Sequence, residues 1–437
     1  MFGIADRRKG PPTRGIRGVG LFAVAIGILF TALPVAAQED PIPVTRADTM
    51  AIVDSLQAAM DTIQESHPQD SPERAGFIFA TEDGKGSFRL RASIRLNGAW
   101  DGSGLQSTDV FDTYLIPVGV TETPEQARFF MQATQTRFGF ELNRDTGRGI
   151  VYGRIETDFR GTDNSLRLRH AYGEFWKVLV GQTWSTFTDV STLPVTVDFE
   201  GPPSSNSVRT PQVRYTTTPV ERWTTSVALE APQVDATVVN DSVSGTSATF
   251  QGFGDIAARA RLELGWGHLT FSTIFRSITL QDVDRETQFL PGLGFQLSGR
   301  LDLDDEDQLL FQAIGGRAVS RFVGSLGGKG LDLLLNPETG RWVEVRSYGG
   351  YLTYSHRWIR IAPDLVSNFT AGAMGVINED FESDDAFRNS VYFSGNGFWR
   401  ITEGTRVGSE VSWGRRYNKD GQSGSAVRFS FAAYLDF

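Results

Sequence analysis

Along most of this chain, apolar and polar residues take turns. The last eleven residues, VRFSFAAYLDF, set Val427, Phe429, Phe431, Ala433, Leu435 and Phe437 at every second position, with Arg428, Ser430, Tyr434 and Asp436 among those between. Successive side chains of a strand point to opposite faces, so this segment is a strand with one apolar and one polar side. Upstream, FRLRASIRL places Phe88, Leu90, Ala92, Ile94 and Leu96 against Arg89, Arg91, Ser93 and Arg95. Comparable stretches, from TQTRFGFEL through SLRLRHAYGEF, DIAARARLELGW, HLTFSTIFRS, WIRIAPDLVSNF and RVGSEVSWG, bring the total to about sixteen strands between residues 76 and 437. With only 40% hydrophobic residues, a chain that gives every strand an apolar face fits a membrane best as a closed sheet, apolar outside and polar inside. The expected fold is all-β: a 16-stranded antiparallel transmembrane β-barrel with a short N-terminal periplasmic helix.

Connection lengths agree. RDTGR, WK, TPVE, GWGH, SHR and TEG are short turns for the periplasmic side, whereas residues 98–127, 185–208, 232–251, 279–291, 319–343 and 371–387 are expected as long outer loops. The front of the chain carries Arg7, Arg8, Lys9, Arg14 and Arg17, an apolar run from Leu21 to Leu33, and small residues ending at Ala37. This is the pattern of a secretory signal peptide over residues 1–37. Residues 38–75 are then expected as a periplasmic linker and short helix, with the barrel over 76–437. In the helix Val53, Leu56, Met60 and Ile63 are spaced as a coiled-coil seam. That seam suits self-association, with packing on the chain's own barrel as the alternative.

Five of the 42 basic residues and one of the 52 acidic ones leave with the signal, so the mature net charge is −14, which argues against nucleic acid as a partner. The chain has no cysteine, which removes disulfides and thiolate chemistry. No serine-hydrolase, zincin or P-loop motif occurs, and His67, His170, His268 and His356 have no ligand or base spacing, so neither enzyme nor cofactor nor metal is expected. His170 is expected at a rim or subunit contact, and His268 and His356 at turns.

The charges suggest a pore. Arginines on the polar faces of strands, Arg89, Arg91, Arg95, Arg137, Arg154, Arg167, Arg169 and Arg214 foremost, outnumber the acids there. Guanidinium forks bind carboxylate or phosphate bidentately, so a ladder of them suits passage of small anionic solutes. Bracing of loops and neutralisation of lumen acids is the alternative role. Segment 185–208, with Asp189, Asp198 and Glu200, is long enough to fold inward as a constriction loop facing those arginines, or to remain a plain surface loop.

The stretch RLRHAYGEFWKVLVGQTWSTFTDVSTLPVTVDFEGPP resembles the DcaP-like porins, trimeric outer-membrane channels of Gram-negative bacteria, through Arg167–Gly173, Gly181–Asp189, Pro194 and Phe199–Pro202. The resemblance implies a homotrimer in the outer membrane, in contact with its lipid and lipopolysaccharide, and uptake of small anions such as dicarboxylates. It carries the family's basic constriction to Arg91, Arg95, Arg137, Arg167 and Arg169. Phe437 looks like the C-terminal signal read by the barrel assembly machinery. A phosphate or general-solute porin and a structural outer-membrane tether are the alternatives.

Overall fold

A computed structural model describes residues 76–102, 104–105, 109–119, 127–238, 252–281 and 286–437. The expected signal peptide, linker and helical seam Val53, Leu56, Met60 and Ile63 lie outside the described residues.

Eighteen hydrogen-bonded segments make one closed antiparallel sheet. Arg128–Gln132 and Arg137–Asp145 both pair with Gly86–Asp101, as two halves of one interrupted strand, and Phe77–Ala80 is a short flap, which leaves sixteen strands around the barrel. Closure falls between Gly86–Asp101 and Ser423–Asp436, in register from Ser93 opposite Asp436 to Asp101 opposite Arg428. Phe437 exchanges both backbone bonds with Ala92, and just below it the flap takes over the same edge with Phe77 opposite Leu90. The seam therefore leaves little of that edge unpaired.

The alternation is realised side by side. Phe271, Phe295, Leu297, Leu352 and Val411 are exposed on the outside, while Ser272, Gln296, Ser298, Thr353 and Ser412 are buried inside. Trp176, Trp223, Trp266 and Trp399 are exposed near the short-turn end and form the aromatic girdle expected where the hydrocarbon ends.

Several expected boundaries move. Leu365–Ile377 starts later than WIRIAPDLVSNF suggests, because Pro363 has no N–H for a ladder and residues 358–364 form the turn instead. The long loop expected at 279–291 shrinks, since Gly267–Gln281 and Thr287–Asp302 stay paired up to Gln281 opposite Thr287. Strands also run to Asp101 and Ile377, which shortens the loops expected at 98–127 and 371–387. His268 and His356 lie within strand ends rather than turns, and His170 is buried in the wall, where its Nδ1 is 3.0 Å from Thr183 Oγ1, rather than at a rim.

Three loops turn into the lumen. Segment 185–208 crosses it: Asn206 Nδ2 donates to Gln296 (2.9 Å), Tyr351 Oη to the Thr192 carbonyl (3.1 Å), and Val197 N to Glu410 on the far wall (2.9 Å). Segment 318–345 packs Val319, Phe322, Val323 and Leu326 against Phe187 of the first loop and against Ile274, Ile314, Met374 and Val376 of the wall. Each large apolar side chain so buried contributes about 1.5–3 kcal/mol, so this half of the lumen is filled by a hydrophobic core. Phe111 and Ile116 anchor the third loop on Tyr392 and Ala426. Outside the core a small sheet pairs Leu333–Leu335 in parallel with Ala236–Val238 and antiparallel with Trp342–Glu344, leaving a tip at Glu338, Thr339 and Arg341 exposed.

Candidate functional site

With one side of the lumen packed, the space that remains faces the first strands of the barrel, where the arginines are concentrated. A cavity of about 300 Å³ is lined by Arg137, Arg160, Arg167, Arg169 and Arg209 together with Trp184, Phe199 and Glu200. A β-bulge helps to build it. Glu156 pairs with His170 and Thr157 with Leu168, so Arg169 has no opposite residue. The extra residue lets Arg167, Arg169 and His170 all turn away from lipid.

Carboxylates hold most of these guanidinium groups in place. Arg167 binds Asp158 through two bonds (3.0 and 2.6 Å), and Arg169 reaches Glu156 (2.6 Å) and Asp158 (3.2 Å). Arg160 donates from Nε to Asp109 (2.6 Å) and lies 3.6 Å from the centre of the Phe199 ring, which Arg167 approaches at 5.6 Å. Arg209 stacks at 4.6 Å on Trp184, and among the described residues no carboxylate forms an ion pair with it. Five arginines thus meet Asp109, Glu156, Asp158 and Glu200, a small positive surplus.

Below the cavity a recess of about 10 Å³, room for a single water, lies between Arg91, Arg137, Arg154 and Glu156. Arg154 binds Glu156 (2.6 Å), and Glu141 is shared by Arg91 (3.2 Å) and Arg89 (3.8 Å). Arg137 thus joins two stacked levels of one basic wall. Arg95 is buried below Tyr434, its guanidinium 5.2 Å from the ring centre, and donates to Ser93 (2.9 Å). Arg214, opposite Leu179, lies outside the cavity.

Of the three loop acids, only Glu200 lines the cavity. Asp189 is fully buried against Ser298 (2.8 Å), Ser191 (2.6 Å) and His268 (3.6 Å). Asp198 accepts from the backbone of Phe111 (2.5 Å), Glu200 (3.0 Å) and Gly201 (3.3 Å). Both hold the loop rather than present charge to a solute. Burial, with Glu410 adding, pushes the Asp198 carboxyl up to about 7; burial, then Asp112 and Asp198, pushes Glu200 up to about 8.

Other polar-face arginines brace loops. Arg276 binds Asp332 (2.8 Å), Asp255 (3.3 Å) and the carbonyls of Ala318 and Gln233; Arg259 reaches the Thr188 carbonyl (3.1 Å); Arg428 binds Asp101 (2.8 Å). Sequence reasoning missed Arg160 and Arg209. Arg160 continues the Arg154, Glu156, Asp158 alternation and was open to the same argument. Arg209 sits where the chain re-enters the wall from the inward loop, at a strand end whose facing period two does not settle.

The sequence profile of the DcaP outer membrane protein family matches residues 79–263. The outer membrane channel DcaP of Acinetobacter baumannii has the same architecture, with 20% identity, 83% of this chain and 100% of that chain covered and a TM-score of 0.69. Salmonella typhi OmpF (10% identity, 83% and 100% covered, TM-score 0.54) and an anion-selective porin from Comamonas acidovorans (9%, 81% and 100%, 0.52) share the barrel. No curated protein matches the chain at a significant level. Residues 79–263 thus match the DcaP outer membrane protein family, and the barrel as a whole has the fold of an outer-membrane porin.

Proposed function

With a DcaP-like channel as the premise, we propose that the protein passes small hydrophilic anions, dicarboxylates foremost, by passive diffusion, as a homotrimer whose barrels reach the membrane through the assembly signal at Phe437. The observation that carries this is Arg209, a guanidinium without a carboxylate partner among the described residues, beside Arg160, Arg167 and Arg169, which carboxylates hold around the same cavity. A solute carboxylate entering the cavity trades water for Arg209, and a second carboxylate falls within the field of Arg137 below it. The paired arginines shape the potential, yet their own carboxylates keep the net charge small, so binding stays weak enough for release. Loop 185–208 sets the size limit. The anion-selective character of the Comamonas acidovorans porin, built on the same barrel, supports the reading. The homotrimer rests on the family resemblance.

The test is the zero-current potential in a planar bilayer across a potassium chloride gradient, with and without succinate. Wild-type protein prefers chloride and is blocked by succinate, and Arg209→Ser with Arg137→Ser loses both properties while conductance persists. Cation preference in the wild type would remove the arginine basis of selectivity; block by phosphate but not succinate would transfer the channel to phosphate.

A further inference from the structure

One sector of the outer rim carries a row of exposed arginines on the outward face. Arg317 ends Asp307–Arg317 and Arg346 begins Arg346–Arg357; the two are register partners. Both are exposed and share the outward face with Ala313 on one strand and with Tyr348 and Leu352 on the other. Like charges directly opposite in a sheet repel. Among the described residues neither side chain makes an ion pair or hydrogen bond.

Two more arginines extend the row. Arg388 is exposed in a bulge between Phe387 and Asn389, and its carbonyl lies 2.8 Å from where Gly375 would carry a Cβ. Gly375 pairs with Tyr348, whose hydroxyl stands over it, so Arg388 neighbours the Arg346 end of the sheet. Arg415, on the next strand, is exposed, points the same way as Val411, donates to Ser423 (2.7 and 3.2 Å) and lies 5.2 Å from the centre of the Tyr417 ring, with no acid bound to it among the described residues. In register Arg415 is level with Val391, Ala373, Gly350 and Ala313, four residues below Arg317; at about 4.8 Å per strand and about 3.4 Å per residue the two are roughly 23 Å apart. At the outer ends of several other strands exposed outward positions are apolar, among them Trp100, Phe129, Leu168, Leu229, Ile256 and Phe289.

We propose that Arg317, Arg346, Arg388 and Arg415 bind the phosphates of an outer-leaflet glycolipid, an acylated and phosphorylated sugar of the lipid A type. Guanidinium forks match phosphate bidentately, and one phosphate between Arg317 and Arg346 turns their repulsion into a shared contact. The acyl chains lie on Tyr348, Leu352 and Phe393, exposed below the row. This site lies on the lipid side and is independent of what the pore conducts.

The test titrates detergent-solubilised full-length protein with lipid A and reads occupancy by native mass spectrometry. Arg317→Ser with Arg346→Ser is expected to weaken lipid A binding on the order of thirtyfold, at about 1 kcal/mol per arginine. Arg360→Ser, an exposed residue of a periplasmic turn, leaves it unchanged. Arg415→Ser alone supplies a milder variant, with the heat-modifiable gel band reporting folding. Wild-type affinity in the double variant, or equal binding of dephosphorylated lipid A, would overturn the proposal. Complete displacement by millimolar inorganic phosphate would make the row a free-anion site and overturn the lipid assignment.

Discussion

Asp198 and Glu200 are two carboxyls in a loop that touches charges from every side: Asp112 and Lys329 from the other inward loops, Arg160 beside the cavity, Glu410 and Arg428 from the wall. Their ordinary values of 3.8 and 4.5 rise to about 7 and about 8. A carboxyl raised on folding holds its proton more tightly in the folded state. Its contribution is full below about pH 4, declines as pH climbs toward 7 to 8, and is lost above that. Loop 185–208 is therefore expected to loosen between about pH 6 and 9, seen as rising conductance and current noise, with Glu200→Gln removing the upper part of the response. A flat profile in the wild type would contradict this. At this scale the sequence was only partly legible. Period two identifies Arg137, Arg167 and Arg169 as inward-facing, but it does not see the bulge that admits His170 as well. Nor does it separate Glu200, which lines the cavity, from Asp189 and Asp198, which are consumed by hydrogen bonds from chain segments remote in sequence.

Loop 318–345 depends on one carboxylate. Asp332 is fully buried and accepts from Ser320 Oγ (2.8 Å), Arg321 N (3.3 Å), Asp235 N (3.1 Å) and Arg276 (2.8 Å). Removing one partner of a buried ion pair costs about 3–5 kcal/mol where the other charge is left without compensation; Asp255 still pairs with Arg276, so the loss here is smaller and falls on the loop's own bonds to Asp332. Asp332→Ala is therefore expected to release the loop and raise single-channel conductance in bilayers while the barrel remains folded. Unchanged conductance would show that the apolar contacts of Phe322 and Leu326 suffice. The strands themselves are legible because each carries its pattern locally and Gly, Pro or acidic turns separate them. The inward fold of the loops is not, because Phe187, Phe322 and Val323 find their partners only once the wall exists.

At the scale of the whole molecule, sixteen strands become a barrel through one closing contact. Gly98 lies there, and a Cβ at this position would stand 2.6 Å from the Phe431 ring and 2.7 Å from the Phe130 carbonyl. Both neighbours belong to strands paired with Gly86–Asp101. Gly98→Val is expected to cut the yield of folded, heat-modifiable barrel severalfold, whereas Gly147→Ala, where nothing stands within 4 Å, reports only the strain of its positive φ. Equal yields would show that the seam tolerates bulk. The acidic net charge of the chain and its basic wall are compatible because they belong to different places, acids in turns and loops, arginines on the inner face.

The small sheet around Leu333–Leu335 puts the tip at Glu338, Thr339 and Arg341 into the medium, while Trp342 and Leu335 beside it stay buried. Cell-surface proteins are what bacteriophages and antibodies attach to, and attachment is escaped by changing the residues they touch. Here the residues most readily touched are separated from the arginine-lined cavity by a packed core, so changes at this tip alter what the molecule presents outside and leave that cavity as it is.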